Sequence, residues 1–312
     1  MLRPVFILKV LILSIIINSI FVIYFLTNNS SHSIAYVRTD SNHGANDYNA
    51  FYENLPISAT IKILPLPMSF YVDNSKVFLS NKFQLVSNQK PSKDLEFAIH
   101  RYSKYVSFLV GFPIGVNPTA SPSSNALIIH CPAILAKKNY YPKLGEDESY
   151  TLNVTRSGMY LVATTLTGVI RGLSTFVQLI ERDSTTKKSY IPVTGIVDQA
   201  RFPWRGLMLD VCRHWMPVSV IERTLNAMEL SKLNVLHLHL SDDQGFRVQS
   251  REYPLLHDRQ DYFTQKDIRH LVEYARQRRI RIIPEFDIPG HTTRYNFQLK
   301  RKEKVYACMY LF

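Results

Sequence analysis

Apolar positions along the chain fall into three regimes. Val5 to Leu26 is apolar almost throughout, interrupted by Lys9, Ser14, Asn18 and Ser19. From Ile57 to about Asp198 the pattern is mixed. Lys76–Leu79, Ala126–His130 and Gly158–Ala163 read as strands, and Leu95–Phe108 and Thr167–Glu181 as amphipathic helices. That mixture predicts an α+β unit over residues 57–198, with Pro192 and Pro203 punctuating its join to the next. From Arg205 the apolar runs become short and continuous, as in parallel strands covered on both faces. Leu207–Val211, Asn234–Leu240 and Ile280–Phe286 are three such runs. Between them lie two helices, each opened by a capping box: Ser219 with Glu222, and Thr264 with Asp267. The first carries Ile221, Leu225 and Met228 on one face, the second Ile268, Leu271, Val272 and Ala275. A β-α-β-α-β order with one long loop, Asp242 to Phe263, fits a TIM barrel or a doubly wound sheet. No Gly-x-Gly-x-x-Gly follows any of the strands, which leaves a dinucleotide role unsupported.

The amino-terminal run is long enough to span a bilayer. Arg3 and Lys9 lie on its amino side, and up to Ala45 only Arg38 adds a fixed positive charge beyond it. The positive-inside rule then places the amino end in the cytosol and everything beyond Leu26 translocated into the secretory pathway; the length of the run and the lack of a small-x-small pattern after it favour an uncleaved single-pass type II anchor over residues 1–26, with a cleaved signal peptide as the alternative. Residues 27–56, rich in Ser and Asn, read as a polar stalk. Asn28, Asn29 and Asn153 head glycosylation sequons, which gain weight behind a translocation signal.

Composition narrows the classes. With 46% hydrophobic and 20% charged residues, the 312-residue chain is no disordered polymer. Its net charge of +12 suggests an anionic partner, but the basic residues are scattered. The two dense clusters, Arg276–Arg281 and Lys300–Lys304, accompany no nucleic-acid motif, so no nucleic-acid partner is expected. Cys131, Cys212 and Cys308 lack metal-knuckle spacing.

Polar residues gather where each parallel strand ends, the edge that carries chemistry in both candidate architectures. Strand one runs into Asp210, Arg213 and His214; strand two into Asp242, Asp243 and Gln244; strand three into Glu285, Asp287 and His291. Carboxylates beside Arg and His suit hydrogen bonding to sugar hydroxyls. Plainer roles fit the same residues: Asp210 as a satisfied core carboxylate, Arg213 as an ion-pair partner of Asp210 or Asp242, Asp243 as a loop cap. His237 and His239 alternate along strand two and so share a face. Such a pair on a barrel strand suits a catalytic metal, although these two lie several residues before the rim.

The ordered string Arg201–Gly206, Asp210–His214, Lys232–Gln244 and Glu285–Thr292 resembles glycoside hydrolase family 20, the β-N-acetylhexosaminidases. Upstream, Gly168–Leu179 looks like the end of that family's non-catalytic α+β domain. The anchor and stalk are similar to the Golgi-type, N-glycan-trimming members; Golgi, lysosome and cell surface stay open as destinations, with the catalytic side lumenal. The resemblance implies a (β/α)8 barrel, here partial, over residues 199–312. It implies retaining, substrate-assisted removal of terminal N-acetyl-D-hexosamine from glycans or glycoconjugates, with no cofactor and no metal. Carried over, Arg213 binds sugar hydroxyls, Asp242 supports the site, and Asp287 and His291 orient the catalytic carboxylates. A homodimer belongs to a full-length form.

The sequence departs from the family in several places. The family's catalytic Asp-Glu pair follows a His-x-Gly-Gly stretch on the fourth barrel strand, which is absent here; the only Asp-Glu dipeptide is Asp147-Glu148. The expectation is a truncated product whose acid Glu and orienting Asp would lie beyond residue 312, inactive alone. Three strands of eight would also leave sheet edges open. Trp204 stands where histidine is usual, and Arg279 stands where a helix end calls for glycine. Two other readings stand beside the enzyme: an inactive carbohydrate-binding or regulatory fragment, and a metal-dependent hydrolase using His237 and His239.

Overall fold

The computed structural model describes residues 62–293, apart from 89, 118–124 and 133–140. The apolar run at 5–26, the stalk, Asn28, Asn29 and Cys308 lie outside the described residues. Among the described residues no helix is long and apolar enough to cross a membrane.

The amino-terminal sheet has eight strands: β1 (Ser69–Phe78), β2 (Gln84–Ser87), β3 (Gly115–Asn117), β4 (Ala126–His130), β5 (Tyr150–Thr155), β6 (Gly158–Val162), β7 (Glu181–Arg182) and β8 (Ser189–Asp198). Their order is β1-β8-β5-β6-β4-β2-β3, with β7 beside β8. Two helices cover one face, α1 (Lys93–Val110) and α2 (Leu166–Gln178). Each begins where a hydroxyl satisfies a free backbone N–H: Ser92 accepts from Leu95 and Thr165 from Gly168. Gly111 ends α1 at φ 83°, a left-handed position that suits glycine. Leu85, Leu127, Ile129, Leu152 and Leu161 of the sheet meet Ile99, Tyr102, Val169 and Phe176 of the helices in one core. Asn153 sits on central strand β5, half-buried and opposite Tyr160 and Gly195.

The second sheet is parallel and three-stranded in the order β11-β10-β9, comprising β9 (Gly206–Asp210), β10 (Val235–His239) and β11 (Arg281–Glu285). Helices α3 (Val218–Leu230) and α4 (Gln265–Arg276) make the crossovers. Leu236, Leu238 and Leu240 pack outward against Ile221, Leu225, Met228, Leu271 and Ala275. The alternate residues of β10, including His237 and His239, therefore face the opposite side.

The capping box at Thr264 forms as expected, with Asp267 reciprocating. The one at Ser219 does not. Helix α3 starts two residues earlier, behind Pro217, with no side-chain cap, so Ser219 already lies within its first turn. Helix α2 stops at Gln178, and Glu181 begins the short strand β7 rather than extending the helix.

The sheets belong to one compact unit, and their joint is ionic. Glu229, fully buried, receives two nitrogens of Arg101, with Arg278 Nε 3.8 Å away. Arg276 grips Asp94 at 2.8 Å, and Arg279 reaches Glu146 at 3.1 Å and donates to Thr167 at 2.9 Å. Lys232 pairs with Asp198 at 2.8 Å and also donates to Tyr150. The basic cluster at 276–279 is thus largely a buried clasp rather than a decoration of the helix terminus. Arg279 does occupy the left-handed position expected there, at φ 58°.

A buried charge stripped of its partner costs far more than an exposed one. Glu229→Ala is expected to destabilise the chain by about 3–5 kcal/mol. Removing the exposed pair of His270 and Glu222 is expected to cost under about 1 kcal/mol. Urea denaturation of the two variants checks the contrast.

Candidate functional site

Strand register builds the site. Asp210 of β9 and Glu285 of β11 both pair with His239 of β10, so the three form one row at the carboxyl ends of the strands. Sequence spacing put His239 short of the rim; the structure places it in the rim layer. The chain then turns outward after each strand and brings further polar groups over that row.

Asp242 is the centre. It is 1% exposed and surrounded by donors. His239 Nε2 lies 2.9 Å from Oδ2, Arg213 Nη2 2.6 Å from the same oxygen, His291 Nδ1 3.2 Å from Oδ1, and the Asp243 backbone N–H donates to Oδ1 at 2.6 Å. Burial favours the neutral acid, but these donors outweigh it and hold the carboxyl below its usual range. Arg213, whose side chain is 49% exposed, also pairs with Asp210 at 2.7 Å. Asp210 accepts from the backbone N–H groups of Cys212 and Arg213, fixing the turn that aims the guanidinium. The ion-pair and loop-cap roles thus coexist with an accessible Arg213 head. Asp243 accepts from the backbone N–H of Thr293 at 2.9 Å, tying the loop after β11 to the loop after β10. His291 adopts φ 56°, turning its ring back toward Asp242.

Arg213, Asp242 and His291 therefore converge, as the sequence pattern requires. Asp287 joins less directly. Burial, then its hydrogen bond with Glu285 and that residue's charge, raise its pKa, while Glu285 is lowered against its own burial by Asp287 and His239. The two neighbouring carboxyls are thus pushed in opposite directions, Asp287 up and Glu285 down. Behind the rim Cys212 is a buried free thiol whose pKa burial pushes up strongly, so it is no nucleophile.

Three trios bring donor atoms within 4.8 Å of one another: His239 with Glu285 and Asp287, Asp210 with Cys212 and His239, and Asp242 with Asp243 and His291. Within them His239 Nδ1 stands 3.1 Å from Glu285 Oε1 and His291 Nδ1 3.2 Å from Asp242 Oδ1.

The sole Asp-Glu dipeptide lies elsewhere. Glu148 is buried between Arg171 and Arg205 and accepts from Asn234, while Asp147 accepts from Ser149. Glu148 is part of the clasp, with no access to a substrate.

The pH dependence of stability follows from the two signs. Asp242, lowered, contributes stability present above its unfolded value of about 3.9 and lost as pH falls through its folded value. For His239 burial lowers the pKa, but the hydrogen bond to Asp242 and the charge and hydrogen bond of Glu285 raise it overall. Its contribution is fully present below about 6.5 and lost as pH rises through the folded value. Asp242→Asn is expected to flatten both limbs, measured as urea midpoints between about pH 3 and about pH 9. Limbs identical to wild type would show that the pair does not carry this charge.

Comparison with known proteins agrees with the geometry. Residues 202–307 match the family model "Glycosyl hydrolase family 20, catalytic domain", and residues 63–179 match "beta-acetyl hexosaminidase like". The chain is 40% identical over 207 residues to the beta subunit of β-hexosaminidase from Felis catus, covering 64% of this chain and 38% of that protein. The Homo sapiens beta subunit is 36% identical over 249 residues, covering 76% and 43%. Among solved structures, a chitobiase of Flavobacterium johnsoniae superimposes with a TM-score of 0.68 at 36% identity, over 76% of this chain and 36% of that one. An exo-β-N-acetylglucosaminidase of Vibrio harveyi, solved with N-acetylglucosamine, gives 0.63 at 26% identity, over 79% and 39%. The chain spans less than half the length of each of these relatives. With residues 63–179 and 202–307 matched by family models, a relative 36% identical over 76% of the chain, and its rim residues gathered on one buried carboxylate, the chain belongs to glycosyl hydrolase family 20.

Proposed function

We propose that this chain carries the sugar-recognition half of a β-N-acetylhexosaminidase, which removes terminal N-acetyl-D-hexosamine by substrate-assisted, retaining hydrolysis. The observation that carries the reading is the meeting of Arg213 and His291 on buried Asp242, with the guanidinium half exposed above it. A guanidinium anchored by two carboxylates still has N–H groups to offer sugar hydroxyls. Asp242 holds the arginine in place. Asp287 and His291 orient the carboxylates that act on the acetamido group and the leaving oxygen. The three parallel strands are, in this reading, part of an eight-stranded barrel. Val5 to Leu26 anchors the chain as a type II membrane protein, with the described residues on the lumenal side.

A second reading is binding without hydrolysis. It is favoured by the place of Glu148, whose carboxylate is committed to Arg171 and Arg205. General-acid catalysis contributes about 10²–10⁴-fold to a rate, and no other Asp-Glu pair occurs in these 312 residues.

Two measurements on the purified chain test both readings. Calorimetric titration with N-acetylglucosamine is expected to show binding, weakened about 10- to 100-fold in Arg213→Ala through loss of a charged hydrogen bond of about 1.5–3 kcal/mol. Absence of binding by the wild type would overturn the sugar reading. Release of nitrophenol from a nitrophenyl N-acetyl-β-glucosaminide separates enzyme from binder. Turnover that Asp242→Asn abolishes supports hydrolysis by this chain; binding without turnover supports the second reading.

A further inference from the structure

From an inner position of β10 up through the rim, five side chains form one line of alternating imidazoles and carboxylates. His237 Nε2 meets Glu285 Oε2 at 2.5 Å, and Glu285 Oε1 lies 3.1 Å from His239 Nδ1. His239 Nε2 lies 2.9 Å from Asp242 Oδ2, and Asp242 Oδ1 3.2 Å from His291 Nδ1. The line links an inner residue of β10 to the loop after β11. Its middle member is the most informative: His239 is 3% exposed and both its ring nitrogens face carboxylate oxygens.

A neutral imidazole has one N–H and one lone pair. With Nε2 donating to Asp242, a neutral ring would leave its Nδ1 lone pair 3.1 Å from the Glu285 Oε1 acceptor, and two such groups at that distance repel. A second proton on the ring turns that repulsion into attraction to both carboxylates. That buried Nδ1 makes no directed hydrogen bond among the described residues, and Glu285 Oε1 at 3.1 Å meets it as a charge neighbour. The charged groups around the ring favour the same state. Asp210 faces it from β9, Asp242 and Asp243 from the following loop, and Glu285 and Asp287 from β11, with Arg213 and His291 as the opposing cations or donors and His237 on its own strand.

We infer that Glu285 is a positioning residue for the sugar pocket: it keeps His239 doubly protonated, and His239 in turn holds the Asp242 carboxylate in the orientation that receives Arg213 and His291. Asp242 already has a backbone donor on one oxygen, and the imidazolium on the other prevents its rotation. The inference rests on the proposed sugar pocket for its consequence, but its central claim is measurable without any ligand.

The test uses the 312-residue chain labelled with ¹⁵N at histidine. The His239 resonances are assigned by their loss in His239→Asn. At neutral pH both of its nitrogens are expected to show the shifts of a protonated imidazolium. In Glu285→Gln the midpoint of this signal should move to lower pH, and in Glu285→Asp, which retains the charge, it should stay near wild type. Titration with N-acetylglucosamine should then weaken about tenfold in Glu285→Gln and recover in Glu285→Asp. A neutral His239 in the wild type, or a midpoint unmoved in Glu285→Gln, overturns the inference; if Glu285→Gln does not fold, the wild-type spectrum alone decides. A wild type that binds no sugar while His239 is doubly protonated overturns the pocket instead, so the two failures are distinct.

Discussion

A carboxylate with almost no contact with water remains an anion only when donors replace the lost hydration. Asp242 is in that position, and the geometry of the rim follows from how its need is met. A guanidinium arrives from the turn after β9, an imidazole from within β10, another from beyond β11, and a backbone N–H from its own loop. Each donor is delivered by a different segment, so each loop's path is constrained by the same pair of oxygen atoms. The surrounding network extends this. Asp210 shapes the arginine turn, Asp243 secures the loop that brings His291, and Arg247 donates to the Cys212 carbonyl and pairs with Asp258, bracing the long loop against the first.

The second sheet does not stand alone. Its helices meet the amino-terminal sheet through carboxylates and cations buried on both sides, among them Glu148, Glu229 and Arg279. Ion pairs so placed add less to stability than equivalent apolar packing, but they tolerate little sliding, because a shifted partner leaves a desolvated charge. The clasp therefore fixes how the two sheets sit against each other, and it does so with residues that a reading of charge alone assigns to the surface.

Much of this was legible in the sequence where the signal is local. Continuous apolar runs marked β9, β10 and β11, Thr264 with Asp267 marked the start of α4, and polar residues after each run marked the rim. Most of the misses share one physical cause, dependence on partners distant in the chain. Strand β8 contains Pro192, which punctuated the pattern like a linker; it is tolerated because β1 shifts register between Val72 and Lys76, next to the proline's partner. Strand β5 alternates Tyr150, Leu152 and Val154 inward with Thr151, Asn153 and Thr155 outward, and in the sequence this segment shows only as a glycosylation sequon. The meeting of His239 with Glu285 depends on inter-strand register, which neither segment encodes by itself. Pro217 displaced the expected cap at Ser219 because a fixed φ near its observed −71° already suits entry into a helix.

Lys232 and Arg279 share an uncommon trait: both hold left-handed backbone, at φ 61° and 58°, in turns that lead into β10 and β11. Glycine would enter that conformation with less strain, by roughly 1 kcal/mol. Yet each spends its side chain on the opposite sheet, Lys232 on Asp198 and Tyr150, Arg279 on Glu146 and Thr167. Local comfort and long-range attachment are thus in opposition at these two corners. An exchange that relaxed the bend would unfasten the halves of the molecule, so the sites that look worst suited to their own backbone are the ones least free to drift.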